Sequence, residues 1–133
     1  MKNTKGFTLI ELLVVISIIG ILALMGLRFY STQLDKAKNA IVKANAGTVQ
    51  TLIQAELADR DFNNRDEAAL YIAEYAGLHN PFNGVAMNLA GWFPKSADAP
   101  GEIQITFSES EGVFYIQGFG TDSLLPDILT ARK

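Results

Sequence analysis

Along the 133-residue chain, hydrophobic and polar positions follow three successive patterns. From Phe7 to Leu27 the sequence FTLIELLVVISIIGILALMGL is apolar except for Glu11 and two small polar residues, Thr8 and Ser17. At about 1.5 Å rise per residue, a helix of that length covers roughly 30 Å, the thickness of a bilayer's hydrocarbon core. From Phe29 to about Asp59 there is no proline and a single glycine, Gly47. Apolar or small residues recur there at helical spacing in two adjacent stripes. One runs through Leu34, Ala37, Ile41, Ala44, Thr48, Leu52 and Ala55, the other through Val42, Ala46, Val49, Ile53 and Leu57. The pattern predicts one continuous helix from Phe7 to about Asp59, whose second half has an apolar face wide enough for its own head and for another helix.

Beyond that helix the period changes. The polar run DRDFNNRD at 59–66 breaks the pattern, and Asn64 or Asp66 is placed to cap a short helix that Gly77 ends. Within it Leu70, Tyr71, Ile72 and Tyr75 read as packing residues. HNPFNG at 79–84 combines Asn-Pro with Asn-Gly and predicts a turn. Residues 85–100 read as an irregular connection with a short strand near Val85–Leu89. Apolar and polar residues then alternate over 102–108 and 113–119 across SESEG, which predicts a β-hairpin. Ile103, Ile105 and Phe107 would share one face, met by Phe114 and Ile116 and covered by the second half of the long helix. The expected fold class is α+β: a long helix packed on a small antiparallel sheet.

Charge and composition narrow the function. The formal net charge is −3, unevenly spread. Residues 1–60 hold seven basic side chains against four acidic, and residues 61–133 hold four against ten. An acidic head repels nucleic acid, so direct nucleic-acid binding is not expected. There is no cysteine, which excludes a disulfide, a thiolate metal site and a cysteine nucleophile. No Gly-rich phosphate loop, His-metal spacing or nucleophile elbow is present, and His79, the single histidine, reads as a loop residue. An enzyme is not expected. Lys2 and Lys5 precede the apolar run and predict a cytoplasmic N-terminal side, while Phe29 and Tyr30 suit the opposite membrane interface.

Glu11 is the anomaly, because a carboxylate inside an apolar span calls for a partner or a function. No basic residue of the span lies within one helical turn of it, so its partner is expected from elsewhere, for instance an amine created at Phe7 by cleavage after Gly6. Here MKNTKG followed by FTLIELLVVISIIGILAL resembles the class III signal sequence of bacterial type IV prepilins and pseudopilins. That resemblance implies a leader of residues 1–6 removed by a membrane prepilin peptidase at Gly6–Phe7, N-methylation of Phe7, and a role for Glu11 in assembly. It divides the chain into leader (1–6), transmembrane and filament-core helix (7–27), amphipathic stem helix (28–59) and globular head (60–133). The NPF turn after a short helix is also similar to the family, whereas Arg28 stands where most members carry proline.

The function that the resemblance implies is a structural subunit, the major pilin of a type IV pilus. Such a subunit forms a helical homopolymer, served indirectly by an assembly platform and motor ATPases. It resides in the cytoplasmic membrane, N-terminus in, and then in a cell-surface filament. The alternatives are a major pseudopilin of type II secretion or competence and, from another class, a membrane-anchored extracytoplasmic binding module. Major pseudopilins bind calcium in a C-terminal loop, which makes Asp122 and Asp127 the candidate metal ligands; otherwise no cofactor is expected.

Overall fold

The computed structural model describes residues 6–59, 62 and 64–132. Lys2, Lys5 and the rest of the leader before Gly6 lie outside the described residues, as do positions 60, 61 and 63 of the polar run. The elements are α1 (Leu9–Asp59), α2 (Arg65–Tyr75), a 3-10 turn (Ala90–Trp92), and strands β1 (Ile103–Ser108), β2 (Val113–Gly118) and β3 (Leu129–Arg132). The architecture is α+β, and the chain divides into two compact units between Leu34 and Asp35.

In the second unit, burial decides between the two stripes of α1. Val42, Ala46, Val49, Ile53 and Leu57 are buried. Of the other stripe, Leu52 packs at the edge of the core, while Ala37, Ile41, Ala44, Thr48 and Ala55 stay exposed. From Ala46 on, the buried stripe meets Ile103 and Ile105 of β1, Phe114 and Ile116 of β2, and Ala131 of β3 in one cluster. Ile53, Ile105 and Ile116 are fully enclosed, and burying each such side chain contributes about 1.5–3 kcal/mol of transfer free energy. The predicted hairpin forms with Ile105 opposite Ile116 and Phe107 opposite Phe114, whose rings stack at 4.5 Å.

Two features depart from the sequence expectation. The C-terminal residues 129–132 form a third strand, antiparallel to β2, with Phe114 opposite Ala131. No strand forms at 85–89; a single bridge pairs His79 with Ala86, and Met87 N–H donates to Leu78. Only Met87 of the segment is buried, and its main-chain hydrogen bonds run to Leu78 and Asn80, not to the sheet.

α2 begins as the capping argument requires, and Asn64 is the cap: its side-chain oxygen accepts from Glu67 N–H at 2.9 Å, leaving Asp66 in the first turn. The helix reaches Tyr75, and Gly77 then takes φ +60°. It buries Ala68, Ala69, Ile72 and Ala73. Leu70 and Tyr75, both expected to pack, are 61% exposed: Leu70 lies on the face turned from the buried residues, and Tyr75, the last residue of the helix, sets its ring 4.9 Å from that of Tyr71.

Both edges of the sheet are engaged. On β1, Ile105 N–H donates to Pro94 O, and Ile105 O accepts from Arg65 Nε at 3.0 Å. On β3, Gln50 donates to Thr130 O, while Gln54 both donates to Arg132 O and accepts from Arg132 N–H. One helical turn separates the two glutamines, which is the spacing needed for both to reach the same strand. Unpaired strand edges invite another chain to add on. These side chains close the edges at those positions.

The loops are fixed by buried or close-fitting polar groups. Asn80 is buried; its amide donates to Pro100 O at 2.9 Å and its carbonyl oxygen accepts from Phe82 N–H at 2.8 Å. Gly101 sits at φ +91°, and a Cβ there would lie 2.2 Å from Asn80 Oδ1, so glycine is required by conformation and by space. After β2 the chain closes on α1: Thr121 N–H donates to Asn39 Oδ1 at 2.9 Å, and Lys43 pairs with Asp127 at 2.7 Å.

Candidate functional site

The candidate site is the first unit, and its defining property is that its apolar side chains are exposed. Phe7, Leu9, Ile10 and each large aliphatic side chain on to Leu27 are exposed, with Phe7 at 84%. Among the described residues this is the one helix long and apolar enough to cross a membrane, and none of that apolar window is buried. A helix that is hydrophobic on every side needs lipid or other protein around its whole circumference. Phe29 and Tyr30 follow, also exposed.

Glu11 has a partner that the search for charges missed. Helix α1 starts at Leu9, and Thr8 stands in the capping position before it. Thr8 N–H donates to Glu11 Oε2 at 2.9 Å, Thr8 Oγ1 lies 3.0 Å from the same oxygen, and Glu11 N–H donates back to Thr8 Oγ1 at 3.3 Å. This is a capping box, in which the two residues satisfy each other's free donors. Thr-x-x-Glu ahead of an apolar run is legible in the sequence, so the partner lies inside the chain and not only outside it. The box uses Oε2; Oε1 has no hydrogen bond among the described residues. Phe7, Ile10, Glu11, Val14 and Val15 line one shallow depression beside that carboxylate. Gly6, in irregular backbone, has open space around it. Ser17 donates within the helix to Leu13 O at 2.7 Å, which leaves Glu11 as the one ionisable side chain between Phe7 and Leu27.

A family model, the prokaryotic N-terminal methylation motif, matches residues 1–27, a range that includes the exposed apolar run from Phe7 to Leu27. Among curated relatives, the fimbrial protein EcpB of Eikenella corrodens is 45% identical over 58 residues, covering 44% of this chain and 36% of that protein. Fimbrial protein Q of Moraxella bovis is 37% identical over 78 residues, 59% of this chain and 50% of that protein. A fimbrial protein of Dichelobacter nodosus aligns over 97% of both chains at 26% identity. The chain thus spans between about a third and a half of the first two relatives. No solved structure matches it significantly. Over its N-terminal part the chain is similar to type IV fimbrial proteins.

For the remaining candidate residues the geometry is plain. Asp122 is exposed, and Asp127 faces Lys43. Among the described residues no group of three or more His, Cys, Asp or Glu side chains is placed to hold a metal ion. His79 is exposed in its loop and offers its main-chain oxygen to Asn45 at 3.1 Å. The head also depends on residues that the sequence did not single out. Arg65 bridges Ile105 O and Phe93 O while contacting Asp66, and Asn39 organises the 118–121 corner. Neither could be found from spacing, because their partners lie far away in sequence.

Proposed function

We propose that the chain is a structural subunit of a type IV pilus, not an enzyme, and that copies of it polymerise through the apolar half of α1. The observation that carries this reading is the contrast between an uncovered apolar helix and a head whose sheet edges are engaged at Ile105 and at Thr130–Arg132. Copies joined by strand addition would need those edges free. Copies joined by their helices need only what the first unit already presents. The relatives named fimbrial proteins support the same reading.

In this account residues 1–6 lie on the cytoplasmic side, a prepilin peptidase cuts between Gly6 and Phe7, and Phe7 is N-methylated. The subunit waits in the cytoplasmic membrane with its head outside until the assembly platform, powered indirectly by motor ATPases, moves it into the filament. There an unpaired carboxylate among packed helices costs several kcal/mol. Glu11 keeps Oε2 on Thr8 and offers Oε1 to the Phe7 amine of a neighbouring copy, so the pair acts as an alignment device. No cofactor enters this role.

The test is electron microscopy of sheared surface material, with intact-mass analysis of its main band. The expected result is abundant filaments whose subunit lacks residues 1–6 and carries a methyl group. Glu11→Ala as the sole subunit should leave insertion and cleavage intact and abolish filaments. Normal filaments from that variant would refute the pairing mechanism. Wild-type protein that stays in the membrane while exported hydrolases depend on it would replace the pilus with a secretion pseudopilus. Retention in the membrane with neither effect would favour an anchored binding module.

A further inference from the structure

Asn83-Gly84 is the single Asn-Gly pair in the sequence, and both residues are exposed at the tip of the 79–84 turn. Asparagine followed by glycine is chemically labile, because no Cβ shields the glycine nitrogen as it approaches the asparagine side-chain carbonyl. Asn80, in the same turn, cannot react in this way, since Pro81 has no N–H to lose. At the tip, Gly84 takes φ +73° with open space around it.

Both reacting groups are held by hydrogen bonds. Gly84 N–H donates to Asn80 O at 2.8 Å, and Asn83 Oδ1 accepts from Val85 N–H at 2.9 Å. The turn beneath them is anchored in turn: Asn80 N–H donates to Val85 O at 2.9 Å, its buried amide reaches Pro100 O, and Lys38 Nζ lies 5.2 Å from the Phe82 ring centroid. The nitrogen that would attack therefore has its proton tied to a carbonyl, and the carbonyl that would be attacked is tied to a different N–H.

We infer that Asn83 is a latent site of spontaneous deamidation whose rate the folded turn sets. In the reaction, Gly84 N loses its proton and bonds to Asn83 Cγ, the Cγ–Nδ2 bond breaks, and ammonia leaves with that proton. Water then opens the cyclic imide at either carbonyl, giving aspartate or isoaspartate. No oxidant or reductant is involved, and the net change replaces NH2 by OH. Each product adds a negative charge to an already acidic head. The isoaspartate also lengthens the backbone at the residue that spaces Gly84 from Asn80, which breaks the 2.8 Å bond and loosens the turn from Pro100. Because Gly84 N must leave its bond before it can attack, the rate follows the population in which the turn has opened. A subunit held folded is protected, and an unfolded one ages at this position.

The experiment compares full-length protein in detergent micelles, folded and in denaturing urea, at the same mildly alkaline pH, by peptide mass mapping with isoaspartate-specific methylation. The turn makes the gain at Asn83 about tenfold or more slower in the folded protein, the factor expected for breaking one well-made hydrogen bond. Unfolded protein should gain mass at Asn83 ahead of every other asparagine, and Asn83→Gln, whose longer side chain disfavours the ring, should remove that gain. Equal rates in the folded and unfolded samples, or a dominant gain at another asparagine, would overturn the proposal.

Discussion

The two halves of α1 share one secondary structure and face opposite problems. From Leu9 to Leu34 the charged residues are Glu11 and Arg28 alone, and no side chain is buried. From Asp35 to Asp59 the helix carries Asp35, Lys36, Lys38, Lys43, Glu56 and Asp59, and it buries a single stripe of five. An amphipathic helix needs one cover, and the chain supplies it in the sheet. A helix that is apolar all round needs cover on every side, and among the described residues those side chains stay exposed. Helicity is common to both halves, so the distribution of side chains around the axis is what separates the part that stabilises the head from the part whose apolar side chains stay exposed.

The largest expected effect tests this contrast with one substitution made twice. Ile53→Ala, in the enclosed stripe, should lower the stability of the head by about 2–5 kcal/mol, whereas Ile18→Ala, in the uncovered half, should leave the head's thermal midpoint unchanged. Calorimetry of the full chain in detergent measures both. A comparable loss from Ile18→Ala would show that the first half contributes to the folded head and would break the division between the two.

A second effect comes from the loops that close the head. Gly101→Ala places a Cβ on the Asn80 amide and forces alanine to φ +91°, so it should cost more than about 1 kcal/mol and release Asn80 from Pro100. The check is amide exchange at Phe82, whose N–H is bonded to Asn80; unchanged protection there would sink the claim that this glycine is needed for packing. A third, of about 1 kcal/mol, is Asn64→Ala at the start of α2. Asn64→Asp should restore most of it, since aspartate keeps an acceptor for Glu67 N–H and favours a helix N-terminus.

The same contrast explains what could be read from residues alone. The long helix, the short helix after 59–66 and the hairpin with its shared apolar face follow from local spacing, and the structure reproduces them, whereas spacing leaves open which stripe of α1 is buried and whether Asn64 or Asp66 caps α2. The Thr8–Glu11 box was equally local, yet a search for opposite charge passes over a threonine. What resisted reading depends on distant partners. Strand β3 is four residues long with one buried side chain, and it is fixed by Gln50 and Gln54 from 80 and 78 positions away. Asn80 looks like an ordinary turn residue until Pro100, 20 positions on, supplies its acceptor. In the candidate site, the exposure of the whole apolar half follows directly from composition, because no second apolar surface of that size exists in the chain to cover it.

The smallest expected effect lies on the outer face of the sheet, the head's polar counterpart to the buried stripe. Tyr115 Oη donates to the Glu111 carboxylate at 2.6 Å. That hydrogen bond first, then slight loss of hydration, then the negative charge of Glu111, raise the phenol above the ordinary tyrosine value of 10.0. A group whose value is raised in the folded state stabilises the fold while protonated. The contribution is therefore complete below the unfolded value and is lost as the pH climbs through the raised folded value, where the phenolate would also face the carboxylate. Tyr115→Phe removes the bond and the titration together. Denaturation midpoints of wild type and variant, followed from about pH 8 to 12, should differ slightly at the lower end and converge or cross at the upper end, as the wild type loses its advantage. Curves that stay parallel across that range would show that the Tyr115–Glu111 bond contributes nothing to the fold.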